Sequence, residues 1–197
     1  MRARLAILAS GLTVELREIV LREKAPELLA SSPKGTVPVL VTPSAVIEES
    51  LEVMLWALDR SDPESWLVMP DAGYEWIARC DGPFKTALDH TKYAVRYPDL
   101  DPKQERGRAA EFLLDLNSQI ASSDWIFGAT CTLADMAIVP FIRQFANSDR
   151  SWFDAQPWPN LQRWLCRFLA SDRFAGIMTK YPKWQAGDRT VLFPNPA

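Results

Sequence analysis

The chain opens on Arg2-Ala-Arg-Leu-Ala-Ile-Leu-Ala-Ser10, nine residues rich in strong helix formers with no breaker among them, so a helix is expected that Gly11 stops. From Thr13 to Val20 the pattern turns to alternation, with Val14, Leu16 and Ile19 set against Glu15, Arg17 and Glu18, as in a half-buried strand. A short helix is expected near Pro26 to Ala30, followed by a loop over Ser31-Ser-Pro-Lys-Gly35. Val37 to Val41 and Ala45 to Ile47 predict two strands joined through Thr42-Pro-Ser44, which is a hairpin. Helical spacing returns over Glu49 to Leu58, with Leu51, Met54, Leu55 and Leu58 on one face.

Residues 60–70, bracketed by Asp62-Pro63 and Met69-Pro70, read as a polar, Trp-bearing linker. Beyond Asp71 the period is helical throughout. Trp76, Ile77, Cys80 and Phe84 form one apolar face, Leu113, Leu114, Leu116 and Ile120 a second, and Leu133, Met136, Ala137 and Phe141 a third. Further helices are expected over Pro159 to Ala170 and Asp172 to Lys180. The order, strands and helices first and helices alone afterwards, predicts an α+β two-domain chain: a small α/β domain over 1–59, the linker, and an all-helical bundle over 71–197.

Composition narrows the function classes. With 48% hydrophobic and 24% charged residues over 197 positions, the chain is globular rather than disordered. A net charge of −3 gives no basic field for nucleic acid or an anionic membrane surface. The N-terminal apolar run, Leu5 to Ala9, is too short for a signal peptide, and Met136 to Ile142, flanked by Asp135 and Arg143, is too short to span a bilayer. Three scattered cysteines, with no short-spaced pair and a single histidine, offer no zinc cluster and fit a reducing, cytoplasmic setting. Cys80 and Cys166 are expected on apolar helix faces as core thiols, Cys131 in a loop, and His90 in a polar, solvated stretch of helix. Seven of the eight tryptophans, Trp184 included, fall in the second domain and its approaches.

The chemistry concentrates in Ser32-Pro-Lys-Gly-Thr-Val-Pro-Val-Leu40 and Val46-Ile-Glu-Glu-Ser-Leu51. Proline has no N–H to give a strand ladder, so Val37-Pro38 marks a strand end with free backbone groups beside it; a cis bond there would turn Val37 toward a cleft, where an extended peptide could pair with it. Ser50 begins a helix whose unpaired N–H groups favour a carboxylate, and Glu49 beside it can hold an ammonium group. The pair suits a free amino-acid head group. Thr132 and Asp135 are expected to cap a buried helix.

These two segments resemble the glutathione site of the cytosolic glutathione S-transferases, and Thr132-Leu-Ala-Asp135 resembles that family's helix-capping box, so the likeness covers nearly the whole chain. The resemblance implies a thioredoxin-like first domain and an all-helical second one. It implies that Pro38 is the cis proline, that the Val37 backbone meets the cysteinyl unit, and that Glu49 with Ser50 takes the γ-glutamyl end. Lys24 resembles the lysine that meets the glycyl carboxylate in the omega-like bacterial branch, with Lys34 the weaker alternative. It further implies glutathione as co-substrate, a small electrophilic or disulfide substrate, transfer or thiol-disulfide exchange as the reaction, and a homodimer. An electrophile pocket is implied that Tyr74, Tyr93 and Tyr97 could help to line.

In that family a strand and a loop carrying the catalytic cysteine, serine or tyrosine precede the first helix. Met1 here matches a position inside that helix, so the catalytic residue is expected upstream of Met1, and the strand at Thr13 is expected to seek other backbone partners. A second function class stands beside the first: a non-catalytic glutathione-binding or protein-interaction module, similar to the stringent starvation proteins.

Overall fold

The computed structural model describes residues 1–195. In chain order its elements are α1 (Arg2–Ser10), β1 (Val14–Glu15), α2 (Pro26–Ser31), β2 (Leu40–Val41), β3 (Val46–Ile47), α3 (Ser50–Leu58), α4 (Ala72–Arg79), α5 (Lys85–Lys92), α6 (Pro102–Gln119), α7 (Leu133–Ala146), α8 (Arg150–Asp154), α9 (Pro159–Leu169), α10 (Asp172–Ile177) and β4 (Leu192–Phe193). By their contacts these form two compact units. The first holds residues up to Ser65 together with those from Ser171 onward, and the second runs from Trp66 to Ala170. The segment from Ser171, assigned to the helical domain by its helical period, thus joins the first unit, because α10 packs on α1 and β4 pairs with β1.

In the first unit α1 packs against both α3 and α10, with Leu5 and Ala6 wholly buried. Burial on two sides explains its Ala- and Leu-rich composition without a clean polar face. Gly11, at φ 70°, ends it in the left-handed conformation that glycine adopts without a Cβ clash. The strand expected over Thr13 to Val20 is reduced to Val14–Glu15, since a strand extends only as far as a neighbour pairs with it. That neighbour is the tail: Val14 faces Phe193 and Glu15 faces Leu192, antiparallel. β2 and β3 form a separate antiparallel hairpin, Leu40 facing Ile47 and Val41 facing Val46, with Thr42 Oγ1 closing the turn on Ala45. On α3 the buried stripe is Val53, Met54, Ala57 and Leu58, while Leu51 and Leu55 from the expected face are half-buried.

The second unit is helical throughout. A π-helical turn at Cys80–Phe84 joins α4 to α5, where Pro83 lacks the N–H that a regular ladder requires. Trp66, from the linker, is wholly buried, and its carbonyl accepts the Leu133 N–H at 2.8 Å. Asp135, buried at the start of α7, accepts four hydrogen bonds: from the Ile126 and Thr132 amides, the Thr132 hydroxyl and the Trp164 indole. This completes the expected capping box and adds a tie from α7 to α9. Burial pushes the Asp135 carboxyl above its ordinary range, and the four donors pull against that shift.

Three sequence expectations change here. Cys80 is buried as expected, but Cys166 is exposed, because α9 buries Leu161, Trp164, Leu165 and Phe168 and turns position 166 outward. His90 is half-buried rather than solvated: its Nδ1 lies 2.9 Å from Oε2 of the buried Glu105, and its ring lies 4.4 Å from that of Tyr97. Leu114, placed on the apolar face of α6, is 47% exposed. Among the described residues, no helix is long and apolar enough to cross a membrane.

Candidate functional site

The loop between α2 and β2 is built around a buried serine. Ser32 ends α2, its amide bonding the Leu28 carbonyl at 2.8 Å, and its own carbonyl takes the Gly35 amide at 2.9 Å, which closes a tight turn. Gly35 sits at φ 59°, and a Cβ added there would lie 2.9 Å from Lys24 Nζ and 2.9 Å from Leu29 Cδ2. Only glycine meets both the backbone conformation and the close approach. The same contact places the Lys24 side chain across the loop.

Glu48 ties this loop to the head of α3. It accepts the Ser32 hydroxyl on Oε1 and lies 3.4 Å from Lys34 Nζ through Oε2. Lys34 Nζ also reaches Glu49 Oε1 at 3.5 Å. The Ser32 hydroxyl and the Lys34 ammonium hold the Glu48 carboxyl below its usual range, and Glu48 in turn raises the Lys34 ammonium. A lowered carboxyl favours the tied loop above the ordinary glutamate range and loses it only as pH falls through the depressed value. A carbon-detected NMR titration of Glu48 is therefore expected to give a midpoint below the ordinary glutamate range. Ser32→Ala should move that midpoint upward, and an unchanged midpoint would contradict the tie.

Glu49 is the extended N-cap residue of α3; its carbonyl takes the Val53 amide at 3.0 Å, and its side chain makes no capping bond. The carboxylate is left 65% exposed. At the first turn, the amides of Ser50 and Leu51 have no helical acceptor, and the helix dipole is positive there. The Val37-Pro38 bond is cis, as the family resemblance implied, and Val37 is 48% exposed and lies outside any strand.

The first unit therefore brings Lys34, Glu49 and Ser50 together at the head of α3, with Lys24 against Gly35 in the adjoining loop and Val37 two residues further on. Chemically this offers an exposed carboxylate, a helix N-terminus with a hydroxyl, two ammonium groups and an unpaired stretch of backbone, a set that matches an extended peptide carrying both an ammonium and carboxylates. Glu48 is the residue that sequence reasoning missed. Its neighbour Glu49 carries the same charge, and only the Ser32 contact, sixteen positions away, separates their roles. The three tyrosines occupy separate surroundings in the second unit: Tyr74 is 46% exposed, Tyr93 lies beneath Lys92 and Arg96, and Tyr97 packs on His90.

Comparison with known proteins follows the same division of the chain. The family model described as glutathione S-transferase, N-terminal domain, matches residues 1–66, and the one described as glutathione S-transferase, C-terminal domain, matches residues 74–167. Among solved structures, a glutathione transferase family member from Pseudomonas fluorescens, with two glutathione bound, superposes with a TM-score of 0.74 at 19% identity, over 88% of this chain and 85% of that one. A delta-class glutathione transferase of Nilaparvata lugens gives 0.70 at 21% identity, over 86% and 83%. A class Gtt2 glutathione S-transferase of Vibrio parahaemolyticus gives 0.71 at 18% identity, over 88% of each chain. At these identities the structural likeness speaks for the fold. No curated protein matches the chain significantly in sequence.

Proposed function

Because this chain belongs to the glutathione S-transferase family, we propose that it binds glutathione at the head of α3 and acts as a glutathione-dependent transferase. The observation that carries this reading is the junction itself: an exposed Glu49 carboxylate and the Ser50 N-terminus of α3, held by Glu48 beside the loop that leads to Val37. Glutathione carries a free amino-acid head at its γ-glutamyl end, an extended cysteinyl unit and a glycyl carboxylate. Glu49 takes the ammonium, and the Ser50 hydroxyl with the first α3 amides takes the γ-glutamyl carboxylate. The backbone of Val37 pairs with the cysteinyl unit as one added strand pairs with a sheet edge. Lys24 takes the glycyl carboxylate, as in the omega-like branch, and Lys34 neutralises Glu48. Bound glutathione would supply a thiol for transfer to an electrophile or for exchange with a disulfide.

A second reading is a non-catalytic glutathione-binding module: Lys24, Val37, Pro38, Glu49 and Ser50 are all assigned here to binding and orienting the peptide, and none of them to activating its thiol. Three cysteines that form no disulfide among the described residues fit a reducing cytoplasm, and the family's homodimer belongs to the transferase reading. Titration of reduced glutathione into the 197-residue chain tests what both readings share. Saturable binding is expected, and the absence of binding at millimolar peptide contradicts both. Glutathione consumption measured with an electrophile and with a mixed disulfide then separates transferase from binding module.

A further inference from the structure

The segment between β1 and α2 carries Lys24, and the tail runs antiparallel beside it. The Leu16 amide donates to the Val191 carbonyl at 2.7 Å, and the Trp184 amide donates to the Glu18 carbonyl at 2.9 Å. The Arg17 guanidinium lies 4.6 Å from the Trp184 ring centre, and Lys183 Nζ lies 2.5 Å from Glu23 Oε2. Arg4 roots the start of the tail, donating to the carbonyls of Ile177 and Thr179 and stacking on Tyr181, while it also pairs with Glu18. At the far end Phe193 is buried, so the strap is anchored on both sides of the Lys183-Trp184 contact. The turn that Glu23 closes, its amide bonding the Val20 carbonyl at 2.8 Å, leads directly into Lys24, whose side chain crosses Gly35.

From this we propose that Lys183 and Trp184 are positioning residues for Lys24, so that the C-terminal strap sets how strongly the site recognises the glycyl carboxylate of its peptide ligand. The inference rests on the glutathione reading above. The physical argument is one of local order. Residues 16–23 lie in no helix or strand, and their contacts with the strap, distant in sequence but within the same chain, hold them in place. Lys183 also neutralises Glu23, the carboxylate next in sequence to Lys24; that pairing lowers the Glu23 carboxyl, chiefly through the hydrogen bond from Lys183. Without it, a free carboxylate stands beside the ammonium that must meet an incoming carboxylate, and the turn presenting that ammonium loses its tether. A charge-assisted contact of this kind is worth roughly tenfold in affinity when it is preorganised.

The test compares two ligands that differ only in the glycine, reduced glutathione and γ-glutamylcysteine, by calorimetry on the full chain. Wild type is expected to prefer glutathione by about tenfold. Lys24→Ala should remove that preference, and Lys183→Ala with Trp184→Ala should reduce it to about twofold while γ-glutamylcysteine affinity stays unchanged. Lys183→Arg alone should retain the preference, since arginine keeps the pair with Glu23. Equal weakening of both ligands in the double variant, or a preserved preference, would overturn the proposal. Wild type binding both ligands equally would overturn it and leave the glutathione reading standing, whereas binding neither would overturn both. A thermal melt of the double variant checks that the first unit, still anchored through Phe193 and Arg4, remains folded.

Discussion

Asp135→Ala is expected to lower the stability of the second unit by about 3–5 kcal/mol, the range for removing the acceptor from a buried polar network. The substitution leaves the Ile126 amide, the Thr132 amide and the Trp164 indole N–H without their acceptor, all in surroundings closed to water. Each buried unsatisfied donor costs about 1–3 kcal/mol, and a domain has only about 5–15 kcal/mol in all. For a chain of this size the melting midpoint should fall by about 10 °C or more. Trp164→Phe removes one donor and, because phenyl is smaller than indole, also leaves a small cavity at this buried position, so it should cost about 1–3 kcal/mol. The double-mutant cycle should show the two positions coupled, since both act through one hydrogen bond. A fall of less than a degree or two in Asp135→Ala would mean that the capping box does not hold α7 in register.

The second large effect is on binding. Glu49→Ala should weaken glutathione by about tenfold to a hundredfold, as expected for losing a charge-assisted hydrogen bond to the ligand ammonium. The side chain is exposed and makes no cap bond, so the fold should be unaffected. Ser50→Ala should cost less, about threefold to tenfold, because the α3 amides remain to meet the carboxylate. Specificity of the effect is the informative part: cysteinylglycine, which lacks the γ-glutamyl unit, should bind Glu49→Ala as well as it binds wild type. Equal losses for both peptides would place Glu49 in a structural role through its contact with Lys34.

The sequence made the local parts of this account legible. Val37-Pro38, Glu49-Ser50 and Thr132 to Asp135 each owe their local geometry to chemistry within a few positions: a missing N–H, a helix start, a reciprocal cap. What escaped depends on partners far away in sequence. The role of Glu48 turns on Ser32, and that of Trp184 on Arg17 and Glu18, which moves this tryptophan from the helical domain to the first unit. His90 looked solvated because its own helix is polar; its partner Glu105 lies on α6. Cys166 went wrong by phase, one position off the buried stripe of α9. The length of β1 was overestimated because alternation reports which residues face inward, whereas strand extent depends on the neighbouring strand, here a tail more than 170 positions away.

The site assignment meets its most direct test in a heteronuclear NMR titration of the labelled chain with reduced glutathione. Binding at the head of α3 predicts saturable shifts concentrated on the amides of Val37, Ser50 and Leu51, with Lys24 and Gly35 following, and little change around Asp135. Saturable shifts confined to the helical unit, or no shifts at millimolar peptide, would contradict it.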